Sequence, residues 1–148
     1  MNIKNILCPV DFSDYSNAAL AYATSLAKDS EAKLHIVFVY EEPYAYTDGL
    51  GGFVPPADLE EEQQTLRTVK PTIEGVPYCQ EFIVGTPTDS LLSYAKDNDI
   101  DLIVMGTHGR TGLMRLLMGS IAEAVVRRAP CPVVTIRQPE PKPAATTA

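Results

Sequence analysis

Apolar residues fall in short runs along the chain, separated by stretches whose apolar positions recur at helical spacing. Five runs read as strands: Ile3 to Pro9, Lys33 to Val39, Tyr78 to Val84, Asp101 to Met105, and Val133 to Arg137. The second, with Leu-His-Ile-Val-Phe-Val at its centre, is almost wholly apolar, as a strand covered on both faces must be. The third is less apolar and reads as an edge. Ser13 is placed to N-cap a helix from Asp14 to about Lys28. Its apolar face of Ala18, Ala19, Tyr22, Ala23 and Leu26 is mostly small, which lets a helix lie close to a sheet. A polar helix from Asp58 to about Val69 starts with acids, in keeping with its dipole. Thr86-Pro87-Thr-Asp89 is a strong start for a helix reaching about Asp97. Ser120 to Arg128 is the last helix, ended by Pro130-Cys-Pro132.

Strands alternating with helices predict an α/β fold: a five-stranded parallel sheet with helices on both faces. Right-handed crossovers and a chain reversal after the third strand give the order 3-2-1-4-5. In such sheets ligands bind beyond the C-terminal strand ends, where the order reverses. That point lies between strand 1, which ends at Pro9-Val10-Asp11, and strand 4, which ends at Met105-Gly106. Residues 1–137 read as a single domain. The tail, 138–148, is rich in proline and alanine and is expected to be disordered. Tyr40 to Pro56, with its glycines, prolines and tyrosines, reads as a loop.

The topological site coincides with Gly106-Thr-His-Gly109, followed after nine residues by Gly119-Ser120. A loop that leaves a parallel strand, carries glycines and ends at a helix N-terminus is suited to an anion, and we read it as a phosphate loop for a nucleotide. It is neither a Walker A loop, which ends in Gly-Lys-Ser/Thr, nor the dinucleotide fingerprint, whose glycines are closer together. Gly106 and Gly109 would let backbone approach the ligand. Gly119 and the amides of Ser120 and Ile121 would face phosphate oxygens. Ser120-Ile-Ala-Glu123 also has a capping-box pattern, so Ser120 could simply cap its helix. Asp11 could accept hydrogen bonds from ribose or a base amine, or serve as helix-entry cap. His108 could face phosphates or solvent. His35, mid-strand among apolar residues, reads as a satisfied core histidine.

Charge sharpens this picture. The net charge is −7, which argues against general nucleic-acid binding. Yet Leu102 to Arg137 holds Arg110, Arg115, Arg127, Arg128 and Arg137 against Glu123 alone, so that segment is +4 and the remainder −11. A basic quarter beside a glycine loop suits a phosphate site. The length suffices for one sizeable core. No apolar run reaches membrane-spanning length and no signal peptide is visible, so no membrane partner is expected. Three widely spaced cysteines, Cys8, Cys79 and Cys131, fit reduced thiols in a cytoplasm, with burial as their ordinary role.

The motif Gly106-x2-Gly109-x9-Gly119-Ser120 resembles the ATP-binding motif of the universal stress protein family. The likeness extends through Ile6-Leu-Cys-Pro-Val-Asp11-Phe-Ser, Gly85-Thr-Pro, Asp101-Leu-Ile-Val-Met-Gly-Thr-His-Gly-Arg and Ala129-Pro-Cys-Pro-Val-Val. It implies a Rossmann-like fold of the adenine nucleotide alpha hydrolase-like kind, a homodimer, and a stress-linked cytoplasmic role. It also implies the ATP-binding branch, with Mg2+ held mainly by the phosphates. The site residues so implied are Pro9, Val10, Asp11, Val39, Met105, Gly106, His108, Gly109, Arg110, Gly119, Ser120 and Ile121. Among them Asp11 would meet ribose or adenine, and Val39 would touch adenine through its backbone. Val10 stands where a threonine is common in the family. The dimer would form through the edge strand Val133 to Ile136, which otherwise exposes an apolar edge.

These readings converge on an ATP-binding switch in the stress response, with protein partners unidentified. The alternatives are a nucleotide-free dimeric adaptor or a slow ATP-hydrolysing enzyme. No general base is obvious beside the proposed phosphates and no P-loop lysine is present, which argues against a dedicated fast ATPase and leaves slow hydrolysis open. The His-x-Gly-His and Ser-Gly-Gly signatures of ATP-dependent activating enzymes are missing after strand 1, as is the hydroxyl-rich loop of a flavodoxin.

Overall fold

The computed structural model describes residues 2–41, 58–108 and 118–137. The loop expected over Tyr40 to Pro56, the motif residues Gly109, Arg110 and Arg115, and the tail 138–148 lie largely or wholly outside them.

The elements alternate as expected: β1 (Asn5–Pro9), α1 (Asp14–Ser30), β2 (Lys33–Tyr40), α2 (Leu59–Thr68), β3 (Tyr78–Val84), α3 (Pro87–Asp97), β4 (Leu102–Gly106), α4 (Ser120–Arg128) and β5 (Val133–Ile136). The strands form one five-stranded parallel sheet in the order β3-β2-β1-β4-β5. Alternation along each strand divides the core in two. Ile6, Cys8, Leu34, Ile36, Phe38 and Val104 meet the Ala19, Ala23 and Ala27 stripe of α1 and Leu66 of α2. Leu7, Val37, Ile103 and Met105 point the other way, onto Leu91 and Ala95 of α3 and Ala122 and Val125 of α4. Ile6, Leu7, Leu34, Ile36 and Ile103 are wholly buried, each stabilising the fold by about 1.5–3 kcal/mol.

Helix ends follow local chemistry. Ser13 caps α1, its hydroxyl accepting from the Ser16 amide. Glu31 closes α1 in the left-handed conformation. Asp101, just before β4, accepts from the amides of Lys4 and Asn5 and so staples the start of β1 to that of β4.

Two expectations need correction. Tyr40 is not loop: it is the last residue of β2, buried, with its hydroxyl donating to Asp58 Oδ1 at 2.6 Å. The capping box at Ser120 does not form. Gly119 is the N-cap and Ser120 the first helical residue, so the hydroxyl sits one position too late to cap. Glu123 pairs instead with Arg127, one turn on, at 2.6 Å.

Candidate functional site

β1 stops at Pro9 while β2 continues to Tyr40, and this mismatch opens a cleft at the C-terminal edge of the sheet. The cleft has a volume of about 670 Å3. It is walled by Pro9, Val10 and Asp11 after β1, Val39 and Tyr40 at the end of β2, Met105 to His108 after β4, and Gly119 to Ala122 at the start of α4. Glu41, Asp58 and Glu62 line it as well. Of the residues expected at the site, all but Gly109 and Arg110 are therefore brought to one cavity; those two lie outside the described residues.

Each wall has its own chemistry. The Val10 amide donates to the Val37 carbonyl at 2.9 Å, so odd-numbered residues of β2 turn their backbone groups toward β1. Tyr40, of the opposite parity, turns its carbonyl to β3, where the Gly85 amide donates to it. Val39 thus directs its amide and carbonyl into the space beyond the end of β1. The backbone there can meet the edge of a planar ligand.

The opposite wall is the N-terminus of α4. Gly119 caps it without a side chain, and the first-turn amides of Ser120, Ile121 and Ala122 have no capping side chain to meet. The helix dipole adds positive potential at that point. The Gly119 amide donates to the Thr107 carbonyl at 2.7 Å, tying the two ends of the motif segment together. A Cβ on Gly119 would lie 3.3 Å from that same carbonyl.

His108 stands between these walls. Its Nδ1 is 3.0 Å from Thr107 Oγ1, and its ring tilts against Tyr15 at 5.3 Å. Its Nε2 is buried and, among the described residues, has no hydrogen-bond partner. A buried polar atom without a partner costs about 1–3 kcal/mol, which a ligand would recover.

Asp11 is engaged locally. Its Oδ1 accepts from both the amide and the hydroxyl of Ser13, the residue that caps α1. Its carboxylate therefore supports the helix entry and also lines the cleft, joining the two roles its position allowed. Gly106 behaves differently from expectation. A Cβ there would meet the Tyr15 backbone, not the cleft, so this glycine serves the approach of α1 to β4.

Sequence reasoning missed Phe12. It holds a positive φ of 68°, a strained conformation for a bulky residue. The turn it makes lays its ring on Phe38, with centroids 4.7 Å apart and planes at 9°. It also leaves Asp11 at the cleft. No residue-type signal marks such a phenylalanine. The aromatic stack on β2 was likewise invisible before the register was known.

A sequence model of the universal stress protein family matches residues 2–137. The chain belongs to the universal stress protein family. A universal stress protein of Methanocaldococcus jannaschii is 37% identical over 142 residues, covering 93% of this chain and 84% of its own length. Among solved structures, the universal stress protein UspA from Lactobacillus plantarum has a TM-score of 0.74 at 30% identity, over 93% of this chain and 99% of its own. A universal stress protein from Archaeoglobus fulgidus in complex with dAMP has a TM-score of 0.64 at 25% identity, over 92% of this chain and 99% of its own. Another, in complex with cAMP, has a TM-score of 0.62 at 25% identity, over 93% of this chain and 98% of its own. Among the described residues no helix is long and apolar enough to cross a membrane.

Proposed function

We propose that this universal stress protein binds ATP in the cleft and acts as a nucleotide-dependent switch in the stress response. The observation that carries the reading is the first turn of α4, which has no side-chain cap among the described residues and opens on a cavity that His108 also lines. Its backbone amides are hydrogen-bond donors for an anion. The free backbone edge of Val39 supports an adenine at the other end. The cavity volume lies in the range of small-ligand sites. Relatives crystallised with dAMP and cAMP support an adenine nucleotide as the ligand class.

In this reading the base lies against Val39, the ribose beside Asp11, and the phosphates at Gly119, Ser120 and Ile121. Gly109 and Arg110 would complete the phosphate side. Mg2+ would be held mainly by the phosphates. In this reading the bound nucleotide works as a signal and turnover is slow at most. Two copies pair through Val133 to Ile136 in the cytoplasm, and the nucleotide alters what the dimer presents to a protein partner.

The test is direct. Gently purified protein is examined by native mass spectrometry for a co-purifying nucleotide, then titrated with ATP, ADP and AMP by calorimetry. Saturable ATP binding that is weakened in Ser120→Glu, which sets a negative charge at the α4 terminus, supports the proposal. No heat at millimolar ATP would leave a nucleotide-free adaptor as the reading.

A further inference from the structure

A second group of polar side chains lies at the other end of the strands, beneath α3: Asn5 of β1, His35 of β2, Cys79 of β3 and Tyr94 of α3. None of them lines the cleft. His35 is only 5% exposed and joins the others. Its Nε2 lies 3.0 Å from Asn5 Oδ1. An amide oxygen only accepts, so Nε2 carries the proton and Nδ1 keeps its lone pair. Nδ1 lies 2.8 Å from the Tyr94 hydroxyl and 3.4 Å from Cys79 Sγ. Burial, and secondarily the charge of Lys33, hold the His35 imidazole below its usual pKa, which keeps the ring neutral.

This is a nucleophile, a base and a group that orients the base, in hydrogen-bonding sequence. We propose that Cys79 is a modification site: a thiol that His35 activates for oxidation by hydrogen peroxide. The Cys79 thiol passes its proton to His35 Nδ1. The sulfur then attacks one peroxide oxygen, the S–O bond forms and the O–O bond breaks. The departing hydroxide takes the proton from His35 and leaves as water. Sulfur is oxidised by two electrons to the sulfenic acid, and the peroxide is reduced. The Tyr94 hydroxyl, 3.8 Å from Sγ, can turn its proton from Nδ1 to the thiolate as it forms.

The other two thiols serve as internal controls. Cys8 is wholly buried, which pushes its pKa up to about 12, and it lies on the opposite face of the sheet. Cys131 is half-buried like Cys79, but burial and the nearby Asp101 raise its pKa, and no histidine stands beside it among the described residues. Among the described residues, Cys79 is the thiol with a histidine in contact.

The experiment treats the reduced, full-length protein with a limiting amount of hydrogen peroxide. Sulfenic acid is trapped with dimedone and located by peptide mass spectrometry. We expect the Cys79 adduct to form at least about tenfold faster than the Cys131 adduct, a small part of what a positioned base supplies. His35→Gln should bring Cys79 down to the rate of Cys131. Tyr94→Phe should slow it less. Equal rates at Cys79 and Cys131 in the wild-type protein overturn the proposal, and this comparison needs no variant to fold. A His35→Gln protein with native circular dichroism and an unchanged Cys79 rate overturns it as well.

Discussion

Replacing Gly106 by alanine separates two uses of a motif glycine, making room for a ligand and making room for a helix. A Cβ at Gly106 would lie 3.0 Å from the Tyr15 carbonyl oxygen, 3.1 Å from its carbonyl carbon and 3.1 Å from its Cβ. Two of these three are backbone atoms in the first turn of α1, which cannot swing aside as a side-chain tip would. That turn is held by the Ser13 cap and by the alanine stripe behind it. β4 is itself held in place, because Ile103 to Gly106 pair with Val133 to Ile136 on one side and Leu102 and Ile103 pair with Ile6 and Leu7 on the other. Overpacking of this kind costs about 1–3 kcal/mol. Losing a glycine from the unfolded chain returns about 0.4–1 kcal/mol. The net destabilisation spans about 0–2.6 kcal/mol with a midpoint of about 1.3 kcal/mol, a fall in Tm of about 3–5 °C at the midpoint for a chain of this size. Thermal unfolding followed by circular dichroism, on protein dialysed free of nucleotide, reads this. Gly119→Ala is the reference: its nearest neighbour, the Thr107 carbonyl oxygen, is 3.3 Å away, and its melting point should fall less. A nucleotide-free Gly106→Ala protein that melts with the wild type would refute the packing argument and return Gly106 to the ligand.

Three further outcomes are expected. His108→Phe keeps a ring against Tyr15 but removes Nε2 together with the Nδ1 contact to Thr107; it should weaken ATP binding by about 10-fold or more, the worth of a hydrogen bond to a charged group, read by calorimetry. Thr135→Pro should convert a dimer to a monomer in light scattering at fixed concentration. The Ile136 and Pro132 carbonyls accept from the β4 side, so Thr135 directs its amide to the free edge, where proline removes the pairing donor and spares the β4 ladder. A variant that stays dimeric would refute pairing through β5. Finally, acid should destabilise the fold through His35. Its folded pKa is lowered from 6.5 by burial, so the unfolded chain takes up the proton first as pH falls. Its contribution is complete above 6.5 and shrinks below it, down to the lower folded pKa. The melting point should therefore drop as the pH falls below 6.5, and less so in His35→Gln.

Much of this was legible from residue order. The Thr86-Pro87 start and the strand Tyr78 to Val84 appear at the boundaries their residues predict. The reversal point between β1 and β4 follows from right-handed crossovers once the chain reverses after the third strand. The cleft was legible for the same reason, since strand ends and glycines pointed to one place. For Ser120 the letters left a capping role open, because a capping box and a helix capped one residue earlier read alike, and the structure places the N-cap at Gly119. Tyr40 was misjudged because its loop-like neighbours outweighed an apolar run that ended one residue later than expected.

Local chemistry along the chain set the elements, their order in the sheet and the face each strand residue takes, because backbone geometry and alternation depend on near neighbours. Contacts between distant segments were decided only by packing. Gly106 meets Tyr15, Phe12 lies on Phe38, and Asn5, His35, Cys79 and Tyr94 come together from four elements. No local pattern encodes these meetings. They depend on register and helix placement, which the chain acquires when the whole core closes at once.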